Sequence, residues 1–337
     1  MRDTFHSDWF VARVGQGRVN LAQQATGRPR FAPVGPPPPA VPPPPLSDPA
    51  SVTRLAGPER ISTAVAVSQD HWDQGQARSA VVARADIAAD ALAATPLAMT
   101  GPLLLSSASE LSDVTADELT RAVQQGGVVY LAGGEAALSS HLQEEIADLG
   151  FTPTRLAGLT RYATAVHIAE EVDDNPQKIY LADGTGFAEA LVAGAAAARQ
   201  VGAVVLLTAG DQISAETRAV LRDHPNAEVI AVGTAATATG AADRAVVGVD
   251  VYDTARLLAS ELPAGDTAAL ASGEQFPDGL AGGAHAAVRG LPLLLTRRDN
   301  LPDPTAAFLR DAGVDRLVVY GGHAAVSTEV TNEALPE

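Results

Sequence analysis

From Val52 onward, short apolar runs of strand length alternate with longer stretches whose apolar positions recur at helical spacing. In the first such stretch the pattern predicts strands near residues 53–55, 80–83, 103–106 and 128–131, with helices between them. Within the runs apolar residues follow one another without polar alternation, as in sheets covered by helices on both faces. Strands of this type separated by helices predict βα units around a parallel sheet, an α/β fold. The most apolar runs, residues 103–105, 205–207 and 293–295, read as central strands.

The pattern is written three times. RLAGPERISTAVAV from Arg54 returns as RLAGLTRYATAVHI from Arg155, and a weaker copy, VGVDVYDTARLLA, follows from Val247, aligning Thr63, Thr164 and Thr254. The segments RADIAADALAATPLA, DGTGFAEALVAGAAA and SGEQFPDGLAGGAHA then align Asp90, Glu189 and Asp278. Each copy continues with an apolar strand and a glycine turn: GGEAALS from Gly133, GTAATATG from Gly233 and GGHAAVS from Gly321. Modules of about 90–100 residues are large enough to fold as domains, so the array predicts tandem modules at 52–150, 151–243 and 244–337 rather than a solenoid. The third module has a degenerate start. Residues 1–32 show no convincing period and are expected to be disordered, and the proline-dense stretch 33–51 is expected to form an extended linker.

Composition narrows the chemistry. Aromatic content is 4%, so the cores must be built from Ala, Val, Leu and Ile through close approach of small residues. A net charge of −17 opposes general attraction to nucleic acid or anionic lipid, so an anionic partner must be met by a local basic cluster. There is no cysteine and Lys178 is the single lysine, which excludes thiolate chemistry and the P-loop lysine. The histidines lack metal-ligand spacing, and neither a Gly-x-Ser-x-Gly elbow nor a dinucleotide fingerprint is present. No catalytic residue, metal site or cofactor is assigned. No secretion signal and no long apolar span is visible, so no membrane insertion is expected.

The ordered motifs resemble the cell wall-binding repeat 2 family of clostridial surface-layer and many actinobacterial surface proteins. The resemblance rests on RLAG followed by Arg60 or Arg161 and Thr63 or Thr164, on FPDGLAGG around Asp278, on the PLLL strand and on the YLAGG or YGG turn. It implies three Rossmann-like or Toprim-like modules with parallel sheets, closed within one monomeric chain into a pseudo-threefold triangle. It also implies a non-catalytic, extracellular anchor that binds an anionic cell-wall polymer, teichoic-acid-like or polysaccharide, without covalent attachment. Two departures stand out: the third copy keeps neither arginine of the motif, and Thr234 replaces the second glycine of the turn in the second copy.

On this basis Arg54, Arg60, Arg155 and Arg161 are the candidate polymer-binding residues, because guanidinium forks grip phosphate or carboxylate in two-point fashion. A structural reading stands level with it, in which the same arginines pair with Asp90, Glu189 or Asp278 across module seams. Those carboxylates also offer ligands for a bridging divalent cation, although one carboxylate per module at a helix start more often serves the helix itself. The glycine turns resemble phosphate cradles only weakly, since tight strand-to-helix turns use glycine without a ligand. Two other functions stay open: a nucleotide- or small-ligand-binding Rossmann-like enzyme, and a purely structural surface scaffold.

Overall fold

The computed structural model describes residues 11–14, 17–20, 52–263 and 265–335. The chain divides into two units, Met1–Pro44 and Pro45–Glu337. In the first, strands β1 (Val11–Val14) and β2 (Gly17–Asn20) pair antiparallel, so a hairpin lies within the segment that has no sequence period. The proline-rich stretch expected as a linker lies outside the described residues.

The second unit carries the repeats. The first runs β3 (Val52–Leu55), α1 (Arg60–His71), β4 (Ala77–Arg84), a 3-10 turn (Thr95–Thr100), β5 (Leu103–Ser106), α2 (Asp113–Ala122), β6 (Val123–Ala132) and α3 (Ser140–Asp148). The second runs β7 (Thr152–Leu156), α4 (Arg161–Val172), β8 (Lys178–Asp183), α5 (Ala188–Ala198), β9 (Ala203–Thr208), α6 (Ala215–Asp223), β10 (Glu228–Val232) and α7 (Thr234–Ala238). The third runs β11 (Arg244–Val246), α8 (Val251–Ser260), β12 (Thr267–Ser272), α9 (Pro277–Arg289), β13 (Leu293–Thr296), α10 (Asp303–Asp311), β14 (Arg316–Tyr320) and α11 (Thr328–Ala334).

Three parallel four-stranded sheets result, with strand orders β5-β4-β6-β7, β9-β8-β10-β11 and β13-β12-β14-β3. The sheets do not follow the repeats. The opening strand of each repeat completes the sheet of the repeat before it: β7 pairs with β6, β11 with β10, and β3, from the start of the array, with β14 near its end. The helix after each opening strand packs on its own repeat, α1 against β5 and α2, α4 against β9 and α6, α8 against β13 and α10. Each seam is therefore crossed by the chain as a strand on one side and a helix on the other, and the β3–β14 pairing closes three modules into a ring.

The core matches that closure. One continuous apolar cluster takes in residues of all three repeats, while the outer faces of the three sheets hold separate clusters of their own. The apolar runs without polar alternation are thus buried on both faces. At the centre α5, α9 and the 3-10 turn pack on one another. Alanine and glycine let these backbones approach: a Cβ on Gly282 of α9 would strike the Tyr320 ring. Copies two and three form true helices here and copy one does not. Pro96 stands where α5 has Ala195, and inside a helix proline removes an amide donor and clashes with the preceding turn.

The apolar runs expected as central strands are edge strands. β5, β9 and β13 each lie at one end of their sheet, yet Leu104, Leu105, Leu206, Leu207, Leu294 and Leu295 are all fully buried. Helices supply the cover, with α1 and α9 packed against β5, α4 against β9 and α8 against β13.

Candidate functional site

The order of each sheet places a topological switch point between β4 and β6, and at the equivalent places between β8 and β10 and between β12 and β14. In open parallel sheets the crevice beyond the carboxyl ends of such strands is where ligands bind. All the residues singled out from the sequence gather at these three crevices or in the wall behind them.

Arg54 and Arg155 form the wall. Arg54, on β3, donates from Nη1 to the carbonyls of Gly321 and Val326, both at 2.9 Å. Arg155, on β7, does the same to the equivalent carbonyls of Gly133 (2.9 Å) and Leu138 (2.7 Å), adds Ser139 O through Nη2 (3.1 Å), and reaches Gln143 Oε1 through Nε (3.0 Å). Both are half-buried, and desolvation pulls both guanidinium pKa values down. Each arginine therefore holds the glycine turn of the preceding module in shape. Among the described residues no ion pair joins either one to Asp90, Glu189 or Asp278.

This pairing unites the two departures of the sequence. The third copy has Ala245 at the arginine position, and the turn that Ala245 faces is the one altered by Thr234. There the chain closes a short helix, α7, and the Gly233 carbonyl is taken by the amide (3.2 Å) and hydroxyl (2.8 Å) of Thr237. A turn that satisfies its own carbonyl needs no guanidinium.

The first glycine of each turn is fixed by the same exchange. Gly133, Gly233 and Gly321 have φ of +118°, +84° and +100°, a region that disfavours any side chain. Their amides donate to Leu156, Val246 and Leu55 of the incoming strand (2.8–2.9 Å), so these N–H groups are not free to cradle phosphate. The side chains of Asp90, Glu189 and Asp278 lie directly against these glycines, where a Cβ would collide with each. Glu189 and Asp278 sit in the first turns of α5 and α9, favoured by the helix dipole. Burial raises the pKa of both; the Thr63 hydroxyl and the Arg60 charge oppose the rise at Asp278. Oδ1 of Asp278 is buried without a hydrogen-bond partner.

Arg60 and Arg161 open α1 and α4 at the crevice mouths. Nη1 of Arg60 donates to Ala85 O (3.0 Å) and Nη1 of Arg161 to Gly184 O (2.6 Å), equivalent carbonyls just past β4 and β8. Arg60 is exposed and Arg161 half-exposed. The recurring threonines lie behind them: Thr63, Thr164 and Thr254 are buried and accept hydrogen bonds from the amides of Gly57, Gly158 and Gly248 (3.0–3.1 Å). That role was not assigned from the sequence, although invariance across the three copies pointed to one.

The model of cell wall binding domain 2 (CWB2) matches residues 54–143, 155–240 and 246–331, most of the chain and all three repeats. The chain belongs to the CWB2 family. Among curated proteins it is 29% identical over 296 residues to the N-acetylmuramoyl-L-alanine amidase LytC of Bacillus subtilis, covering 84% of this chain and 58% of the relative. It is 23% identical over 300 residues to the amidase enhancer of the same organism, covering 86% and 41%. Of solved structures, Cwp8 and Cwp6 from Clostridium difficile match with a TM-score of 0.74 each, at 24% and 23% identity. They cover 84% and 85% of this chain and 51% and 48% of their own, and they share its fold. The chain thus spans about half the length of the proteins it matches. Cell-wall association is the role that the CWB2 family describes. Among the described residues no helix is long and apolar enough to cross a membrane.

Proposed function

We propose that the three CWB2 repeats form a non-catalytic anchor that grips an anionic cell-wall polymer, teichoic-acid-like or polysaccharide, at the crevices where one repeat meets the next. In this reading the protein acts outside the cell, at the wall, as a single chain whose ring takes the place of an oligomer. The observation that carries it is the division of labour among four arginines. Arg54 and Arg155 are turned inward onto turn carbonyls, whereas Arg60 and Arg161 stand at crevice mouths with only Nη1 engaged among the described residues, leaving the rest of each five-donor fork to a ligand. The third crevice-side helix has Val251 in that place, so ligand is held at the first and second repeats.

A nucleotide-type site is disfavoured by the same geometry. The helix starts that would face a phosphate already carry Glu189 and Asp278, and the turn amides are taken by the exchanged strands. A bridging divalent cation remains a second route for the polymer, through these carboxylates.

Charge-assisted hydrogen bonds are worth about 1.5–3 kcal/mol, so Arg60→Ala and Arg161→Ala should each weaken wall binding about tenfold or more. Sedimentation with purified walls measures this, with circular dichroism as the check on folding. A folded double variant that binds like the parent would remove the arginine site, and binding abolished by chelator instead would move it to the carboxylates.

A further inference from the structure

The seam that closes the ring differs from the other two in what it buries. Where α1 of the first repeat packs on α9 of the third, Asp70 Oδ2 meets both His285 Nε2 (3.0 Å) and Arg289 Nη1 (2.9 Å), and His285 Nδ1 meets the Tyr320 hydroxyl (2.8 Å). The side chains of His285 and Arg289 are 2% and 4% exposed. The His71 ring lies 6.0 Å from that of His285 and stands edge-on to Trp72 at 4.7 Å. At the other seams the residues equivalent to Asp70 are Glu171, which accepts from the Tyr130 hydroxyl (3.0 Å), and Glu261, which pairs with Arg244 (2.6 Å). Neither of these contacts involves a histidine.

We propose that the contact between the third and first repeats is an acid-labile clasp, which opens the ring when His285 and His71 take up protons. The hydrogen bonds fit a neutral His285, with Nε2–H donating to Asp70 and the bare Nδ1 accepting from Tyr320. A proton on Nδ1 would turn the Tyr320 hydroxyl into an acceptor and leave its own hydrogen unpaired in a fully buried place.

The local charge also forbids it. With neutral imidazoles Arg289 is balanced by Asp70; with both charged, three cations share Asp70, and Asp73 beyond the end of α1 is the next acid. On α1 the remaining ionisable side chain is Arg60, at the far end of the helix. On β14 it is Arg316, beside Asp266 and Asp315. The 3-10 turn, β5, β12 and β13 bring no ionisable group to α9. α5 brings Glu189 in its first turn and, just past its end, Arg199 beside Gly290 at the end of α9, and α2 brings the paired Glu118 and Arg121 to Gln69 of α1.

Burial accordingly lowers the pKa of His285, with Asp70 opposing, and lowers that of His71 to about 4, with His285 and Arg289 adding to the effect. These folded values lie below the unfolded value of about 6.5, so the clasp is intact at neutral pH and weakens as pH falls from about 6.5 towards 4, up to tenfold per pH unit for each histidine. The pKa of Asp70 is lowered instead, chiefly by its bond from His285, so Asp70 stays charged through that window and its contribution is lost only below about 3.8.

The chain has two tryptophans, so Trp9→Phe leaves Trp72 as the reporter of the clasp. Its emission and the hydrogen exchange of α1 and α9 should be followed from pH 7.5 to 3.5 in the full chain. The expected result is a transition within the histidine window, in which α1 and α9 lose protection at least tenfold while β8 and β9 of the second repeat keep theirs. His71→Gln with His285→Gln should move it below that window. If the double variant does not fold, His71→Gln alone must lower the midpoint. The proposal is overturned if α1 and α9 keep their protection until the whole chain unfolds at once, or if the foldable variant titrates like the parent.

Discussion

A chain that begins at Pro58 should melt about 10 °C or more below one that begins at Pro45, although it lacks only a short stretch at the edge of the array. The missing residues include β3, whose Val52, Thr53, Arg54 and Leu55 stand opposite Leu317, Val318, Val319 and Tyr320 of the third sheet. Leu55 is 8% exposed, and burying such a side chain is worth about 1.5–3 kcal/mol. The lost ladder bonds and the two carbonyls abandoned by Arg54 add about 1 kcal/mol each, for a total of at least about 5 kcal/mol. The loss should appear in the third repeat, more than 250 residues away in sequence. Calorimetry and hydrogen exchange of β14 measure it, and a peptide carrying residues 50–57 should restore part of the loss. Equal melting of the two chains would mean that the ring does not depend on the exchanged strand.

Arg155→Ala should cost about 3 kcal/mol in urea unfolding, because it leaves the Gly133, Leu138 and Ser139 carbonyls short of a donor in a half-buried wall. Arg155→Lys should recover little of it, since an ammonium on a flexible stem cannot serve three carbonyls and Gln143 at the angles a planar fork reaches. Ala245→Arg in the third copy should give no gain in stability. The Gly233 carbonyl there is already bonded by Thr237, so an added guanidinium would duplicate a bond the turn has already made. Stabilisation by Ala245→Arg would show that the arginine does something other than satisfy the turn.

These two effects mark where the sequence was legible and where it was not. Strands, helices and the threefold repetition are local patterns, and they lie where the apolar runs place them. Which sheet a strand joins is not local: the run at 53–55 looks the same whether it pairs within its own repeat or with β14. The mistaken central position of β5, β9 and β13 has a similar cause, because burial on every side reads alike whether strands or helices provide the cover. The arginine wall was half visible. Arg54 and Arg155 each face an intact Gly-Gly turn, and Ala245 faces the altered one, a correlation present in the sequence that needed the strand exchange to become a contact. The Asp70–His285 clasp left no periodic trace, since it joins α1 of the first repeat to α9 of the third and has no counterpart at the other seams.

Polymer anchoring is decided by sedimenting the full chain with purified cell walls before and after chemical removal of their phosphodiester-linked and other anionic polymers, at low and at high salt. The predicted result is binding to intact walls that weakens with salt, is competed by the free polymer and is lost on the stripped walls. Undiminished binding to the stripped walls would contradict it.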